Sequence, residues 1–272
     1  MPPRVHPAAG FDAALVAQVL ADALSPGVRV YGICGLQGSG KSTLAAQVAT
    51  LARSRGLRVA VLSVDDVYLG RAERQRLARR VHPLLATRGP PGTHDVALGC
   101  ATLDALRAGT PVALPRFDKL ADTRLPPSRW RRVEAVDLTL FEGWFLCTPP
   151  QAEAELRDPI NAIERDDDAD GTWRRYCNDA LARDYPALWS RIDRLLFLQP
   201  PGFETVPQWR WQQEESLKSQ RPGAHGMDRA GVDRFVQLFE RVSRQALRTL
   251  PGIADRTLRL DAQRRPAGGS NL

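Results

Sequence analysis

Gly35-Leu36-Gln37-Gly38-Ser39-Gly40-Lys41-Ser42-Thr43 is the stretch whose reading decides the fold. Its spacing, G-x-x-x-x-G-K-S, is that of a phosphate-binding loop. The preceding residues, Val28-Arg29-Val30-Tyr31-Gly32-Ile33-Cys34, are β-branched and apolar and read as a buried strand. After the loop, Leu44, Ala45, Val48, Leu51 and Ala52 recur at the spacing of a helix face. A chance Gly/Ser turn would not sit between a strand and a helix in this way. The glycines let successive N–H groups converge on phosphate oxygens at the positive end of a helix dipole. The expectation is an α/β P-loop NTPase fold that binds a nucleoside triphosphate through Gly35, Gln37, Gly38, Ser39, Gly40, Lys41, Ser42 and Thr43. Lys41 would lie along the β- and γ-phosphates, and the Ser42 hydroxyl would ligate Mg²⁺.

Working outward, residues 58–64 read as a second buried strand that delivers Asp65-Asp66-Val67-Tyr68 at its carboxyl end, where parallel sheets bind ligands. On an extended strand end adjacent side chains point to opposite sides, so one of Asp65 and Asp66 is expected to face the site. Residues 136–144 read as a third strand whose apolar run ends in Glu142, the pattern of a Walker B acid. Ser42, Asp65 and Glu142 are therefore the candidate metal ligands, and Lys41, Asp65 and Glu142 candidate catalytic groups. Residues 193–199 and 256–261 complete a sheet of about five strands flanked by helices.

Two segments between these elements are expected to build the rest of a site. Residues 70–135, dense in Gly and Pro, read as a substrate-binding insertion. Its candidates are Arg88, His94, Asp95, Arg116, Asp118 and Lys119, together with Asp65 and Tyr68 from the strand end. Residues 205–230, a helix followed by a Gly-rich basic loop, read as a phosphate-covering lid carrying Arg210, Lys218 and Arg221. Arg210 and Lys218 join the catalytic set as cations for the transferring phosphoryl. Residues 71–80 look like a helix with a solvated basic face, and Asp166-Asp167-Asp168 like a solvated loop. Residues 1–272 are read as one domain.

The formal net charge of +7 raises the question of nucleic acid, but the arginines are spread along the chain and suit anionic small substrates as well. No nucleic-acid or membrane partner is expected, and the chain is expected to act as a monomer. Four scattered cysteines without C-x-x-C spacing fit reduced thiols, and no apolar leader precedes the first helix, so the expected compartment is the cytoplasm. Lys41, Lys119 and Lys218 are the only lysines among 38 basic residues. A lysine kept in so arginine-rich a chain is a candidate for a role that arginine cannot fill.

Residues 35–43, 62–68, 88–95 (R-G-P-P-G-T-H-D at the end of the loop), 114–119 (L-P-R-F-D-K), 141–144 (F-E-G-W) and 209–214 occur in one order. In that order they resemble the D-glycerate 3-kinase family, within the phosphoribulokinase, uridine kinase and pantothenate kinase group. The resemblance covers residues 25–250 and implies a P-loop kinase with strand order 2-3-1-4-5, ATP as the nucleoside triphosphate and a small hydroxy acid, D-glycerate, as acceptor. Relatives that phosphorylate nucleosides place the base directly after the strand in a D-x-F-Y context, which implies Asp65 for that role here. The segment after Lys119 is shorter than in plant-type members, and residues 232–250 lack the tyrosines those carry.

Other readings are a kinase for a nucleoside, pantothenate or a sugar, and an ATP-dependent switch without a small substrate. A switch has no use for Arg88, His94 and Asp95 clustered beside a γ-phosphate. A GTPase lacks support because no N-K-x-D segment is present.

Overall fold

Successive residues of the central strands serve different layers, which is why the sequence is apolar without alternation. In Val30–Gly35 (β1), Tyr31 and Ile33 join one core with Leu44 and Val48, while Val30 and Cys34 join the other with Leu62 and Phe197. The computed structural model describes residues 10–220 and 227–268, the side chains of 217–220 excepted. Within them β1, Val59–Ser63 (β2), Leu138–Gly143 (β3), Arg194–Gln199 (β4) and Arg256–Arg259 (β5) form one parallel sheet. Its order is β2-β3-β1-β4-β5, the arrangement implied by the family resemblance.

Parallel neighbours need long crossovers, and helices supply them on both faces. Ala13–Ala23 (α1) and Lys41–Ser54 (α2) cover one face. Between β2 and β3 the chain forms Arg71–Arg80 (α3) and Val96–Ala108 (α4), then two short antiparallel pairs. These are Val112–Leu114 with Arg131–Val133, and Phe117–Asp118 with Thr123–Arg124. Ala162–Asp166 (α5), Thr172–Arg183 (α6) and Tyr185–Trp189 (α7) lie between β3 and β4, and Thr205–Gln220 (α8) and Arg229–Thr249 (α9) between β4 and β5. Leu103, Leu181, Leu188, Val236 and Phe239 from this group pack on the second face.

The register places the carboxyl ends of three strands together. Glu142 pairs with Ile33 of β1 on one side and Ser63 of β2 on the other. The P-loop, the Asp65–Asp66 pair and Glu142 therefore open onto the same edge.

Three local expectations are corrected. Asp65 and Asp66 do not lie on an extended strand end but in a 3₁₀ turn, Val64–Val67. Ser63 caps that turn by accepting from Asp65 N at 3.2 Å, and Asp66 Oδ2 accepts from Ser63 N at 3.2 Å, a reciprocal capping box. The basic face of α3 is not wholly solvated, because Arg74 is fully buried. It donates to the carbonyls of Leu69 (2.8 Å) and Ala86 (3.1 Å) and to Asp122 Oδ2 (2.5 Å). Nor is Asp168 a loop acid in water. It is buried, accepts from Trp173 N at 2.6 Å at the start of α6, and pairs with Arg174 at 2.9 Å.

Candidate active site

The P-loop conformation follows from its glycines. Gly38 and Gly40 have φ of 82° and 92°, the left-handed region where a side chain is strained. At Gly38 a Cβ would also stand 2.5 Å from Trp209 Cβ, so the loop's approach to α8 requires glycine twice over. Gly40 is the N-cap of α2 and supplies no side-chain cap, which leaves the first N–H groups of that helix for an anion. Gly35 fits against Ser39, whose Oγ would lie 2.5 Å from a Cβ there. The buried Ser39 Oγ and both polar atoms of the Gln37 amide have no hydrogen-bond partner in the protein. Buried polar atoms are normally paired, so this concentration in one loop fits a polar ligand. Thr43 follows on the exposed side of the first turn of α2.

Ser42 Oγ donates to Glu142 Oε1 at 2.9 Å, and Lys41 Nζ lies 4.0 Å from Glu142 Oε2. The second of these oxygens is buried without a hydrogen-bond partner. A hydroxyl and a carboxylate oxygen are hard donors suited to a divalent cation. Among the described residues no group of three or more His, Cys, Asp or Glu side chains could hold a metal by itself. This suits a cation that takes one or two protein ligands and completes its shell with phosphate oxygens and water.

Asp65 faces the same cleft with both oxygens engaged. Tyr68 OH donates to Oδ1 at 2.6 Å and Lys119 Nζ to Oδ2 at 2.6 Å. Burial pushes this carboxyl up, but the Lys119 and Lys41 charges outweigh it and hold it at about 2. Asp66 behaves in the opposite way. Burial raises it to about 6 despite Arg116, whose Nη1 stands 3.6 Å away. The turn thus presents Asp65 to the cleft and uses Asp66 to hold the backbone.

A cleft of about 230 Å³ joins these parts. Gln37, Gly38, Lys41, Ser42, Asp65, Tyr68, Arg88, Lys119 and Arg210 line it, all of them candidates from the sequence. Arg88 is held by Asp122 Oδ1 at 2.5 Å and stands over the Phe117 ring at 5.7 Å. Arg210, on α8, pairs with Glu214 at 2.9 Å. The other candidates are engaged elsewhere. His94 is buried between Tyr68 and Tyr185, its Nδ1 2.6 Å from Tyr185 OH, and burial drives it down to about 3. Asp95 caps α4 by accepting from Leu98 N at 3.0 Å and pairs with Arg124 at 2.8 Å. Asp118 accepts from Leu120 N and Ala121 N, shaping the turn that presents Lys119. Arg116 is largely exposed beside Asp66. The Lys218 side chain and Arg221 lie outside the described residues.

Four further residues belong to the site. Trp144, Gln213, Phe235 and Phe239 complete the lining. Trp144 belongs to the F-E-G-W stretch and Gln213 to residues 209–214, whereas Phe235 and Phe239 on α9 carry no local signal. Behind the P-loop, Arg264 Nε donates to Gly38 O at 2.5 Å, and its Nη2 to Gln212 Oε1 at 2.8 Å. Its guanidinium lies 5.0 Å from the Trp209 ring centroid. The C-terminal turn, the P-loop and α8 are thereby tied into one unit.

A P-loop at the end of β1, an acid at the end of β3, and a cation-rich insertion facing both define a P-loop kinase. Comparison with known proteins carries this further. A family model described as methylmalonyl Co-A mutase-associated GTPase MeaB matches residues 7–69, which is the nucleotide-binding stretch and less than half of the chain. The uncharacterized kinase mug58 of Schizosaccharomyces pombe is 34% identical over 200 residues, covering 70% of this chain and 71% of that protein. Chloroplastic D-glycerate 3-kinase of Arabidopsis thaliana is 32% identical over 224 residues, covering 77% of this chain and 46% of that protein. The chain thus spans less than half the length of the plant relative. The solved structure of D-glycerate 3-kinase from Cryptococcus neoformans superposes with a TM-score of 0.73 at 26% identity, covering 94% of this chain and 97% of that one.

The chain belongs to the D-glycerate 3-kinase family. It is an ATP-dependent phosphotransferase with an alcohol group as acceptor, and the family relationship implies a divalent metal with the nucleotide. No helix among the described residues is long and apolar enough to cross a membrane.

Proposed function

We propose that this kinase transfers the γ-phosphoryl of ATP to the 3-hydroxyl of D-glycerate, forming 3-phosphoglycerate, with Mg²⁺ as the metal. The observation that carries the reading is the meeting, in one cleft, of P-loop Lys41 with Asp65, Arg88 and Lys119. A hydroxy acid needs a cation for its carboxylate and an acceptor for its hydroxyl proton, and these side chains supply both. The names of the Arabidopsis and Cryptococcus relatives support the same acceptor.

Held by Ser42 and Glu142, Mg²⁺ would offset charge on the β- and γ-phosphate oxygens. The P-loop N–H groups and Lys41 hold the phosphates in place. Arg88 and Lys119 orient the acceptor carboxylate, which leaves the far hydroxyl directed at the phosphoryl. Asp65 receives the hydroxyl proton, and Arg210 supplies positive charge where negative charge is shared in the transition state. Because that transition state is loose, Asp65 contributes orientation as much as proton abstraction.

The test is ADP release against a panel of hydroxy acids, nucleosides, pantothenate and sugars at fixed ATP and Mg²⁺. D-Glycerate is expected to give the highest kcat/KM. A nucleoside, pantothenate or sugar ahead of it would replace the acceptor while leaving the kinase in place.

A further inference from the structure

Both oxygens of Asp65 have protein partners, and the two partners differ in kind. Tyr68 is buried, with its ring 4.6 Å from His94 and 5.2 Å from Phe117, so its hydroxyl is fixed on Oδ1. Lys119 approaches Oδ2 from the turn of the short ribbon formed by Phe117–Asp118 and Thr123–Arg124. Its side chain is 61% exposed, and Leu120 beside it is 77% exposed. The ammonium end of the pair is open to solvent while the Asp65 side chain is only 24% exposed, so another carboxylate can reach this ammonium and compete for it. Lysine suits such an exchange, being a compact charge on a flexible stem, whereas an arginine fork would be harder to release.

We propose that Lys119 occupies Asp65 until the carboxylate of the acceptor draws it away, so that the pair selects acceptors bearing an anion near the reacting hydroxyl. This rests on the hydroxy-acid reading above and adds how the site enforces it. While Tyr68 sits on Oδ1 and Lys119 on Oδ2, each oxygen of Asp65 already accepts one hydrogen bond, and the ammonium lowers the basicity the carboxylate offers to water or a neutral alcohol. ATP is therefore spared from hydrolysis. A bound carboxylate pairs with the Lys119 ammonium and leaves Oδ2 to accept the acceptor hydroxyl. The hydroxyl oxygen then bonds to the γ-phosphorus and the bond to the β,γ-bridging oxygen breaks. ADP departs with that electron pair, and the hydroxyl proton passes to Asp65.

The test compares the unmodified enzyme with Lys119→Gln and Lys119→Arg at saturating ATP and Mg²⁺. ADP release is followed without acceptor, with glycerol, and with D-glycerate. Glycerol keeps the hydroxyls and lacks the carboxylate. In Lys119→Gln, kcat/KM for D-glycerate is expected to fall by about tenfold or more, the effect of losing a charge-assisted contact. In the same variant, acceptor-free hydrolysis or glycerol turnover is expected to rise by a similar factor. Lys119→Arg is expected to keep both low. Unchanged or lower hydrolysis and glycerol turnover in Lys119→Gln, with its thermal transition intact, would overturn the proposal even if D-glycerate turnover fell. If the unmodified enzyme ignores D-glycerate, the acceptor assignment fails. The acceptor-free arm then still decides the exchange, because a rise supports an occupied base and no rise refutes it.

Discussion

The two walls of the cleft are made from different materials. On the nucleotide side the working groups are main-chain N–H groups, set by left-handed Gly38 and Gly40, with Lys41 and the Ser42–Glu142 pair added. On the acceptor side they are long side chains held by one another: Lys119 by Asp65, Arg88 by Asp122, and Asp122 again by buried Arg74. A backbone wall recognises what all nucleotide triphosphates share, and its geometry is fixed by a short run of residues. A side-chain wall is specific and adjustable, and it depends on partners far apart in the chain. Damage to the first wall should abolish turnover whatever the acceptor, and damage to the second should distinguish among acceptors.

The largest effect is expected at Lys41→Ala, which removes the cation from the phosphates and should leave no measurable turnover with any acceptor. Near-normal activity would break the assignment of the nucleotide wall. Next comes Asp65→Asn, expected to lower kcat by about 10²–10⁴ while nucleotide affinity stays intact. Asp66→Asn should cost far less in kcat, since Asp66 caps the turn; if it proves the inactive variant, the two carboxylates have exchanged roles. Arg264→Gln should weaken ATP binding by about tenfold, as expected for a lost charged hydrogen bond, while the KM for the acceptor stays put. Equal losses for both substrates would show that Arg264 supports the whole fold rather than one wall.

The last effect concerns stability, not turnover. Burial holds His94 neutral, with its proton affinity pushed down to about 3 from 6.5. The unfolded chain therefore binds this proton at a pH where the folded chain does not. Stability from this group is complete above about pH 6.5 and is lost as pH falls toward 3, by about 1.4 kcal/mol per pH unit. Urea melts between pH 7 and 4 should show a shallower decline in His94→Gln than in the unmodified protein. An identical pH dependence would mean that the ring protonates without cost.

Legibility in the sequence follows the same division. The P-loop, the strands and Glu142 are local patterns, and the sheet order follows from the family they resemble. Lys119, read as a cation for the acceptor from its isolation among arginines, lines the cleft, and its contact with Asp65 was not legible. What escaped is non-local or hidden by composition. Arg264 reaches Gly38 across 226 positions, and Arg74 reaches Asp122 across 48. One arginine among many gives no sign of being buried. His94 and Asp95 sit in a cluster that looks catalytic in one dimension. In three, the ring is packed between tyrosines and the carboxylate caps a helix. The Asp65–Asp66 pair reads as an extended strand end because its capping box depends on the chain leaving the strand one residue earlier than the apolar pattern implies.

The central claim is that one cleft brings the γ-phosphoryl of ATP to the hydroxyl of a small hydroxy acid. Its most direct test is to incubate the enzyme with γ-labelled ATP, Mg²⁺ and D-glycerate and to identify the labelled product by NMR or mass spectrometry. The account predicts label on the 3-oxygen, as 3-phosphoglycerate, in amounts matching the ADP formed. ADP with label only in inorganic phosphate, or no label transferred to D-glycerate, would contradict it.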